Sequence, residues 1–157
     1  NFQKQLFEKQ KVKLFYGVNE SQLENVFKKA KKLVGSTPEN VGKILEKRMD
    51  NVLFSAGFGK SKKDTRQLIN HGHFMLNSRR HTIPSTTLKI GDTISIRKES
   101  QNIKDFTTIK EKIIQKRSPN FIKIDSEKLT VKLEKEPVMS ELNLPFNFEV
   151  IVEYFSH

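Results

Sequence analysis

The spacing of apolar residues changes at His71, and this change restricts the fold more than any other feature. As far as His71 the apolar residues recur at helical intervals. Directly beyond His71 they begin to alternate with polar residues, which is the pattern of strands that bury one face. The sequence therefore predicts an α+β protein, in which an N-terminal helical region precedes a small antiparallel sheet.

Capping signals predict where the first helices begin. A basic helix is expected over residues 2–16. Ser21 and Glu24 have the spacing of a capping box, in which each side chain satisfies a free backbone donor of the other residue. Thr37 precedes a proline, which is tolerated in the first turn of a helix. We expect the helix that begins there to continue to Val52.

A short helix and a hairpin are predicted in the middle of the chain. Ser61 and Asp64 open the helix, and His71 closes it. Residues 74–76 then form the first strand of a hairpin, with its turn at Asn77–Ser78.

The C-terminal third is expected to contain a linker helix and further strands. Residues 105–116 have a helical pattern, and short strands are expected around 122–124 and 129–133. Residues 146–154 alternate strictly, which predicts a strand that packs back on the protein. Its inward side chains would be Phe148, Val150, Val152 and Tyr154, with Glu149 and Glu153 pointing outward.

The pattern divides the chain into three regions. We expect an N-terminal helical region at residues 1–46, a compact module at 47–98, and a linker helix with a C-terminal β segment at 99–157. The sequence has no run of about eighteen apolar residues, so we expect no membrane span. Because the first residue is Asn1 rather than Met, we expect the natural chain to begin earlier.

The net charge indicates a polyanionic partner. It is +11, and the sequence pI is about 9.8. The excess lies mainly in residues 60–98, where nine Lys and Arg residues face two Asp. Residues 119–157 carry four basic against seven acidic residues. Basicity can serve solubility alone, but a globular domain this basic usually binds nucleic acid.

Catalytic and metal-binding patterns are missing from the sequence. There is no cysteine. His71 and His73 would need a third metal ligand, and Asp64 and Asp92 are the only carboxylates near them in sequence. Neither a Gly-x-Ser-x-Gly turn nor a glycine-rich phosphate loop occurs. We therefore expect no enzymatic activity, no cofactor and no metal.

One short run resembles a catalytic motif. Arg48-Met49-Asp50 is similar to the Arg-Leu-Asp motif of RNA pseudouridine synthases, whose aspartate is the nucleophile. No large catalytic domain follows it, so we do not interpret Asp50 as a catalytic residue.

The chemistry that the central region does support is phosphate binding. Lys60, Lys62, Lys63 and Arg66 surround the start of the short helix, whose free backbone donors also favour anions. Arg79–Arg80 follows the hairpin turn, and the planar guanidinium can meet two phosphate oxygens at once.

These residues lie within segments that resemble a known family. The runs RMDNVLFSAGF (48–58), SKKDTRQLINHGHFMLN (61–77), IPS (83–85) and GDTISI (91–96) resemble the S-four RNA-binding module. LFEKQKVKLFYGV (6–18), PNFIKID (119–125) and VIVEYFS (150–156) are similar to segments of the ribosomal S-four family outside the module. Two positions depart from the family pattern: the turn is Asn77–Ser78 instead of Asn-Gly, and Lys62 replaces a frequent arginine.

The resemblance implies a structural constituent of the small ribosomal subunit. Such a protein binds a junction in the 5′ domain of the small-subunit RNA early in assembly. It lies near the channel through which mRNA enters, beside ribosomal proteins S-five and S-three, and contributes to translational accuracy. The implied location is the ribosome in a bacterial cytoplasm, or alternatively in a plastid or mitochondrion. A free-standing S-four-module RNA-binding factor is the alternative function.

The residues expected to contact RNA come from three parts of the chain. They are Lys9, Lys11, Lys13, Arg48, Lys60, Ser61, Lys62, Lys63, Arg66, Gln67, His71, His73, Asn77, Arg79 and Arg80.

Overall fold

The computed structural model describes residues 1–102 and 118–156. The predicted linker helix at 105–116 lies outside these residues. Six α-helices are described: α1 Phe2–Tyr16, α2 Glu20–Lys32, α3 Thr37–Glu46, α4 Met49–Ala56, α5 Lys62–Asn70 and α6 Phe148–Phe155. Five strands are described: β1 Phe74–Leu76, β2 Arg79–Arg80, β3 Thr93–Ile96, β4 Ile122–Asp125 and β5 Thr130–Leu133. Short 3-10 turns cover Lys98–Ser100 and Met139–Glu141. The α+β prediction is confirmed.

The chain divides into two compact units. Unit 1 comprises residues 1–46 and 138–157, and unit 2 comprises residues 47–137. The three-part division expected from the sequence stays a prediction, because compactness alone does not define functional regions. No helix in the described ranges is both long and apolar enough to cross a membrane.

Unit 1 is a helical core formed by α1, α2, α3 and α6. Each helix places side chains at helical spacing into one buried cluster. The fully buried members include Val12, Leu23, Ala30, Val41, Leu45 and Ile151.

Two predicted features of unit 1 are wrong in detail. The capping box that opens α2 consists of Asn19 and Gln22, rather than Ser21 and Glu24. Asn19 has extended backbone geometry two residues earlier, and Asn caps a helix as well as Ser does. The third helix ends at Glu46, before Val52, because the extended Arg48 separates α3 from α4. The backbone groups on either side of Arg48 form hydrogen bonds outside the helix: the Met49 amide donates to the Thr86 carbonyl, and the Lys47 carbonyl accepts from the Leu88 amide.

The strand predicted at residues 146–154 is also wrong. Phe148–Phe155 is a helix, and Asn147 caps its first turn by accepting a hydrogen bond from the Glu149 amide at 2.9 Å. A short apolar run fits either period, and here packing against α1 and α3 selects the helix. Ile151, which the alternation placed outward, is fully buried. Phe148 and Val150 are buried and Glu149 and Glu153 exposed as predicted, while Val152 and Tyr154 are half-buried.

Unit 2 combines α4 and α5 with one antiparallel sheet. The strand order is β2-β1-β3-β5-β4. Phe74 pairs with Ile96, and Ile94 lies between Leu76 and Val131, so the apolar residues of neighbouring strands share a face. Phe58, which follows α4, packs edge-to-face on Phe74 with ring centroids 5.9 Å apart. The hairpin and the strands predicted around 122–124 and 129–133 are confirmed.

Candidate nucleic-acid interface

The start of α5 is a tightly specified turn. Ser61 has extended backbone geometry, and its hydroxyl accepts a hydrogen bond from the Asp64 amide at 3.0 Å. The Asp64 carboxylate in turn accepts from the Lys60 amide at 2.9 Å. Gly59 has a φ of 106°, and a Cβ there would lie 2.2 Å from the Thr65 hydroxyl oxygen. The helix N-terminus, with its partial positive charge, is therefore held in one position.

Cationic side chains surround this turn. Lys60 and Lys63 are exposed, whereas Lys62 and Arg66 are half-buried. The Lys62 ammonium lies 5.8 Å from the centroid of the Phe54 ring. Gln67 is exposed on the following turn. A nine-residue helix is about 13 Å long, so cations at both of its ends can reach separate phosphates.

The hairpin turn presents two further arginines. Asn77 and Ser78 both have positive φ, of 50° and 70°, as a two-residue hairpin turn requires. The Asn77 side chain donates to Asp92 at 2.8 Å and accepts from the Thr93 amide at 2.9 Å, so β3 fixes the turn. Arg79 and Arg80 follow directly and are exposed.

Arginines join the hairpin to the end of α5. The Arg80 guanidinium lies over Gly72, where a Cβ would be 2.1 Å from its nearest nitrogen, and donates to the His71 carbonyl at 3.5 Å. Arg97 donates to the Gly72 carbonyl at 3.2 Å. Cations near a helix C-terminus are favourable, because the last carbonyls carry partial negative charge. The α5 helix and the hairpin thus form one cationic surface, which we call the α5–hairpin face.

Arg97 was missed by the sequence analysis. It immediately follows the strand in GDTISI and precedes Lys98. A basic pair directly after a predicted strand of the basic central region was the signal that could have found it.

The two histidines do not form a described metal site. His71 caps α5, and its amide donates to the Gln67 carbonyl at 2.9 Å. His73 Nδ1 lies 2.8 Å from the Ser100 hydroxyl oxygen. Among residues 1–102 and 118–156, no group of three or more histidine, cysteine, aspartate or glutamate side chains could hold a metal ion. The exposed groups of the α5–hairpin face include Lys60, Lys63, Arg79 and Arg80, whose charge suits an anionic ligand.

Arg48 occupies the interior of unit 2. It is 5% exposed and forms two hydrogen bonds with the Asp50 carboxylate, at 3.1 and 3.0 Å. Asp50 is 1% exposed. The Arg-x-Asp spacing therefore forms a buried ion pair beside the start of α4, and the structure gives Arg48 this internal partner.

Three of the four lysines of α1, Lys9, Lys11 and Lys13, are paired within unit 1. Lys9 is 4% exposed and donates to Glu20 and to the Tyr154 hydroxyl. Burial alone would lower the pKa of Lys9, but the hydrogen bonds to Glu20 and Tyr154 and the electrostatic attraction of these partners together raise it. Lys11 lies 2.6 Å from Glu8, and Lys13 lies 4.0 Å from Glu20.

The two units differ in charge. Residues 47–137 carry 20 Lys and Arg against ten Asp and Glu, a net charge of +10. Residues 1–46 and 138–157 carry nine basic and eight acidic residues, a net charge of +1. The α5–hairpin face belongs to the strongly basic unit.

Sequence comparisons place this surface in a known family. The family described as "S4 domain" matches residues 47–94, and the "Ribosomal protein S4/S9 N-terminal domain" matches residues 1–46. The chain is 39% identical over 152 residues to the small ribosomal subunit protein uS4 of Trichlorobacter lovleyi, covering 97% of this chain and 73% of that protein. The chain belongs to the uS4 family.

Other bacterial uS4 proteins show the same extent of similarity. The protein of Borrelia hermsii is 42% identical over 155 residues, which cover 98% of this chain and 74% of that protein. That of Syntrophomonas wolfei is 39% identical over 152 residues. The resemblance inferred from the sequence is confirmed.

The family matches coincide with the candidate site. The S4 domain match contains Arg48 and every predicted site residue of the α5–hairpin face, whereas Lys9, Lys11 and Lys13 lie in the N-terminal match. The matches meet at residues 46 and 47, where unit 1 passes into unit 2.

Proposed function

We propose that the chain is a structural constituent of the small ribosomal subunit that binds small-subunit ribosomal RNA through the α5–hairpin face. The observation that carries this proposal is the convergence of α5 and the arginine-bearing hairpin within the segment that matches the S4 domain. Family membership supports the ribosomal role, since the relatives are named as small-subunit proteins. The chemistry of the face is phosphate binding rather than catalysis.

The proposal extends to the chain's place in the subunit. From the family resemblance we infer that the RNA site is the junction in the 5′ domain and that the protein joins the subunit early in assembly. The protein would lie near the channel through which mRNA enters and would contribute to translational accuracy. The proposed neighbours are S-five and S-three. Exposed Glu149 and Glu153 on α6 offer an acidic surface for a basic neighbour such as S-five. The bacterial relatives favour the ribosome of a bacterial cytoplasm, and an organellar ribosome remains the alternative.

A salt series with the full chain tests the RNA face. Replacing Lys60, Lys63 and Arg79 by Gln removes three exposed charges and none of the hydrogen bonds that build the face. The log–log slope of the RNA-binding constant against salt should fall by roughly 0.7–0.9 for each lost phosphate contact. Filter binding to a small-subunit 5′-domain transcript measures it.

A matched control removes the same charge elsewhere in unit 2. Lys123, Lys132 and Lys135 are exposed on or beside β4 and β5 and lie outside the proposed face. Their replacement by Gln should leave the slope close to that of the unchanged protein. Equal losses in both variants would contradict the placement of the face.

Sedimentation distinguishes the ribosomal role from a free-standing RNA-binding factor. A ribosomal constituent stays with small subunits at moderate salt, whereas an RNA-binding factor dissociates. Release of the chain under conditions that retain other small-subunit proteins would favour the factor.

A further inference from the structure

The end of α2 carries a lysine patch that the α5–hairpin face does not include. Lys28, Lys29, Lys31 and Lys32 occupy its last two turns, and all four are exposed. At about 100° per residue they span roughly 160° of the helix surface. Ala30, opposite them, is fully buried in the core of unit 1. The buried face of α2 therefore fixes the direction in which the patch points.

Most of the patch has no acidic partner among the described residues. Lys28 lies 3.6 Å from Glu24, whereas Lys29, Lys31 and Lys32 form no described salt bridge. Lys9, Lys11 and Lys13 of α1, by contrast, are paired with Glu8 and Glu20. Because the net charge of unit 1 is only +1, the patch concentrates positive charge on one part of its surface.

The helix dipole favours these lysines, but their mutual repulsion offsets part of that gain. Cations in the last turn of an exposed helix gain about 0.3–1 kcal/mol each from the helix dipole. Lys28–Lys31, Lys28–Lys32 and Lys29–Lys32 are like-charge pairs at three- and four-residue spacing, and each such pair costs about 0.2–0.5 kcal/mol. An exposed helix face that served stability alone would mix charges of both signs.

An apolar tip adjoins the patch. Leu33 is 54% exposed and Val34 is 99% exposed. The tip is held in place, since the buried Asn40 amide donates to the carbonyls of Ala30 and Val34, both at 3.3 Å. Two aliphatic side chains are thus presented to solvent on a fixed turn beside a group of cations.

We propose that the lysine patch and the Leu33–Val34 tip form a second RNA-contacting surface, on unit 1. The lysines contact phosphates, and the aliphatic tip packs on ribose or on an exposed base. This inference rests on the proposed function and adds a contact region outside the S4 domain match. An anionic membrane fits less well, because Leu23, Val26 and Phe27 of α2 are buried in the protein.

The first test removes the charges of the patch. Lys29, Lys31 and Lys32 are replaced together by Gln, which has a helix propensity similar to that of Lys. With the full chain and the 5′-domain transcript, the log–log salt slope should fall by roughly 2–3, at 0.7–0.9 per contact. The Lys123, Lys132 and Lys135 variant supplies the same charge change as a control, and thermal unfolding verifies that each variant is folded.

The second test addresses the tip. Leu33→Ser with Val34→Ser removes apolar surface and no charge. Affinity should fall on the order of tenfold at every salt concentration with the slope unchanged, because burial of apolar surface releases no counterions. A surface that binds membranes would instead bind phosphatidylserine-containing vesicles, and the lysine variant would lose that binding.

The outcomes separate this inference from the proposed function. If the unchanged chain fails to bind the transcript, both proposals fail. If it binds and the Lys60, Lys63 and Arg79 variant lowers the slope while the patch variant does not, only the second surface is overturned. An equal loss in the matched control, or vesicle binding without a change in the RNA slope, also overturns it.

Discussion

Tyr16 and Glu46 form a deeply buried polar contact in unit 1. The Tyr16 hydroxyl donates to the Glu46 carboxylate, and the two residues are 1% and 4% exposed. Burial, and then the negative charge and hydrogen bond of Glu46, raise the pKa of Tyr16 well above its ordinary value of 10.0. The phenol therefore stays protonated in the folded protein at pH values where an unfolded chain would ionise it.

This contact predicts how stability changes at alkaline pH. Above pH 10.0 the unfolded chain loses the Tyr16 proton while the folded chain retains it, so the free energy of unfolding falls as pH rises. Tyr16→Phe should remove up to about 1.4 kcal/mol per pH unit from this decline. Urea unfolding at several pH values between neutrality and strong alkali measures it. Parallel declines in the two proteins would show that Tyr16 does not contribute.

At the scale of the element, α6 distinguishes the strand predicted from the sequence from the helix observed in the structure. Strict alternation places Ile151 on the same outward face as Glu149 and Glu153, whereas the helix buries it completely. Ile151→Ala should therefore lower the free energy of unfolding by about 2–5 kcal/mol, as expected for a buried aliphatic residue. Glu153→Ala, the exposed control, should change it by less than about 0.5 kcal/mol. If denaturant unfolding shows that both variants change the free energy of unfolding by similarly small amounts, the strand prediction would be favoured over the helix.

The β1–β2 hairpin offers a stabilising substitution. Ser78 holds a φ of 70°, a conformation that costs a residue with a side chain about 1–2 kcal/mol. Ser78→Gly should raise the thermal midpoint by relieving part of that cost, with a gain of about 0.5–1 kcal/mol. Ser78→Ala is the control, since it removes the hydroxyl but keeps the Cβ. If both variants gain equally, backbone strain at this turn is not the cause.

At the scale of the whole molecule, the chain folds into two units of different net charge, and the described residues contain no metal site. The described histidines are used at a helix end, in the contact with Ser100, and in the contact of His81 with Thr86. A strong chelator should leave both the thermal midpoint and RNA binding unchanged. A midpoint that falls on chelation and returns when zinc is added would show that metal contributes to folding.

Local chemistry allowed the α5 cap, the hairpin turn and the α+β class to be predicted from the sequence alone. Ser61 and Asp64 cap α5 because their side chains reach backbone donors only a few residues away. The Asn77–Ser78 turn was likewise predicted, and both residues have the positive φ that a two-residue hairpin turn needs. The family and the α+β class followed from such local runs and from their order along the chain.

Tertiary contacts decided what local pattern left open. Arg48 lies in a basic sequence, yet Asp50 and the buried start of α4 turn it inward. Lys9 lies on a basic helix but pairs with Glu20 and with Tyr154, which is 145 residues away. Residues 148–155 fit both a strand and a helix by their spacing, and the core formed with α1 and α3 selected the helix. In each case burial fixed the outcome, because the free energy of hiding a charge or an apolar side chain depends on partners distant in the sequence.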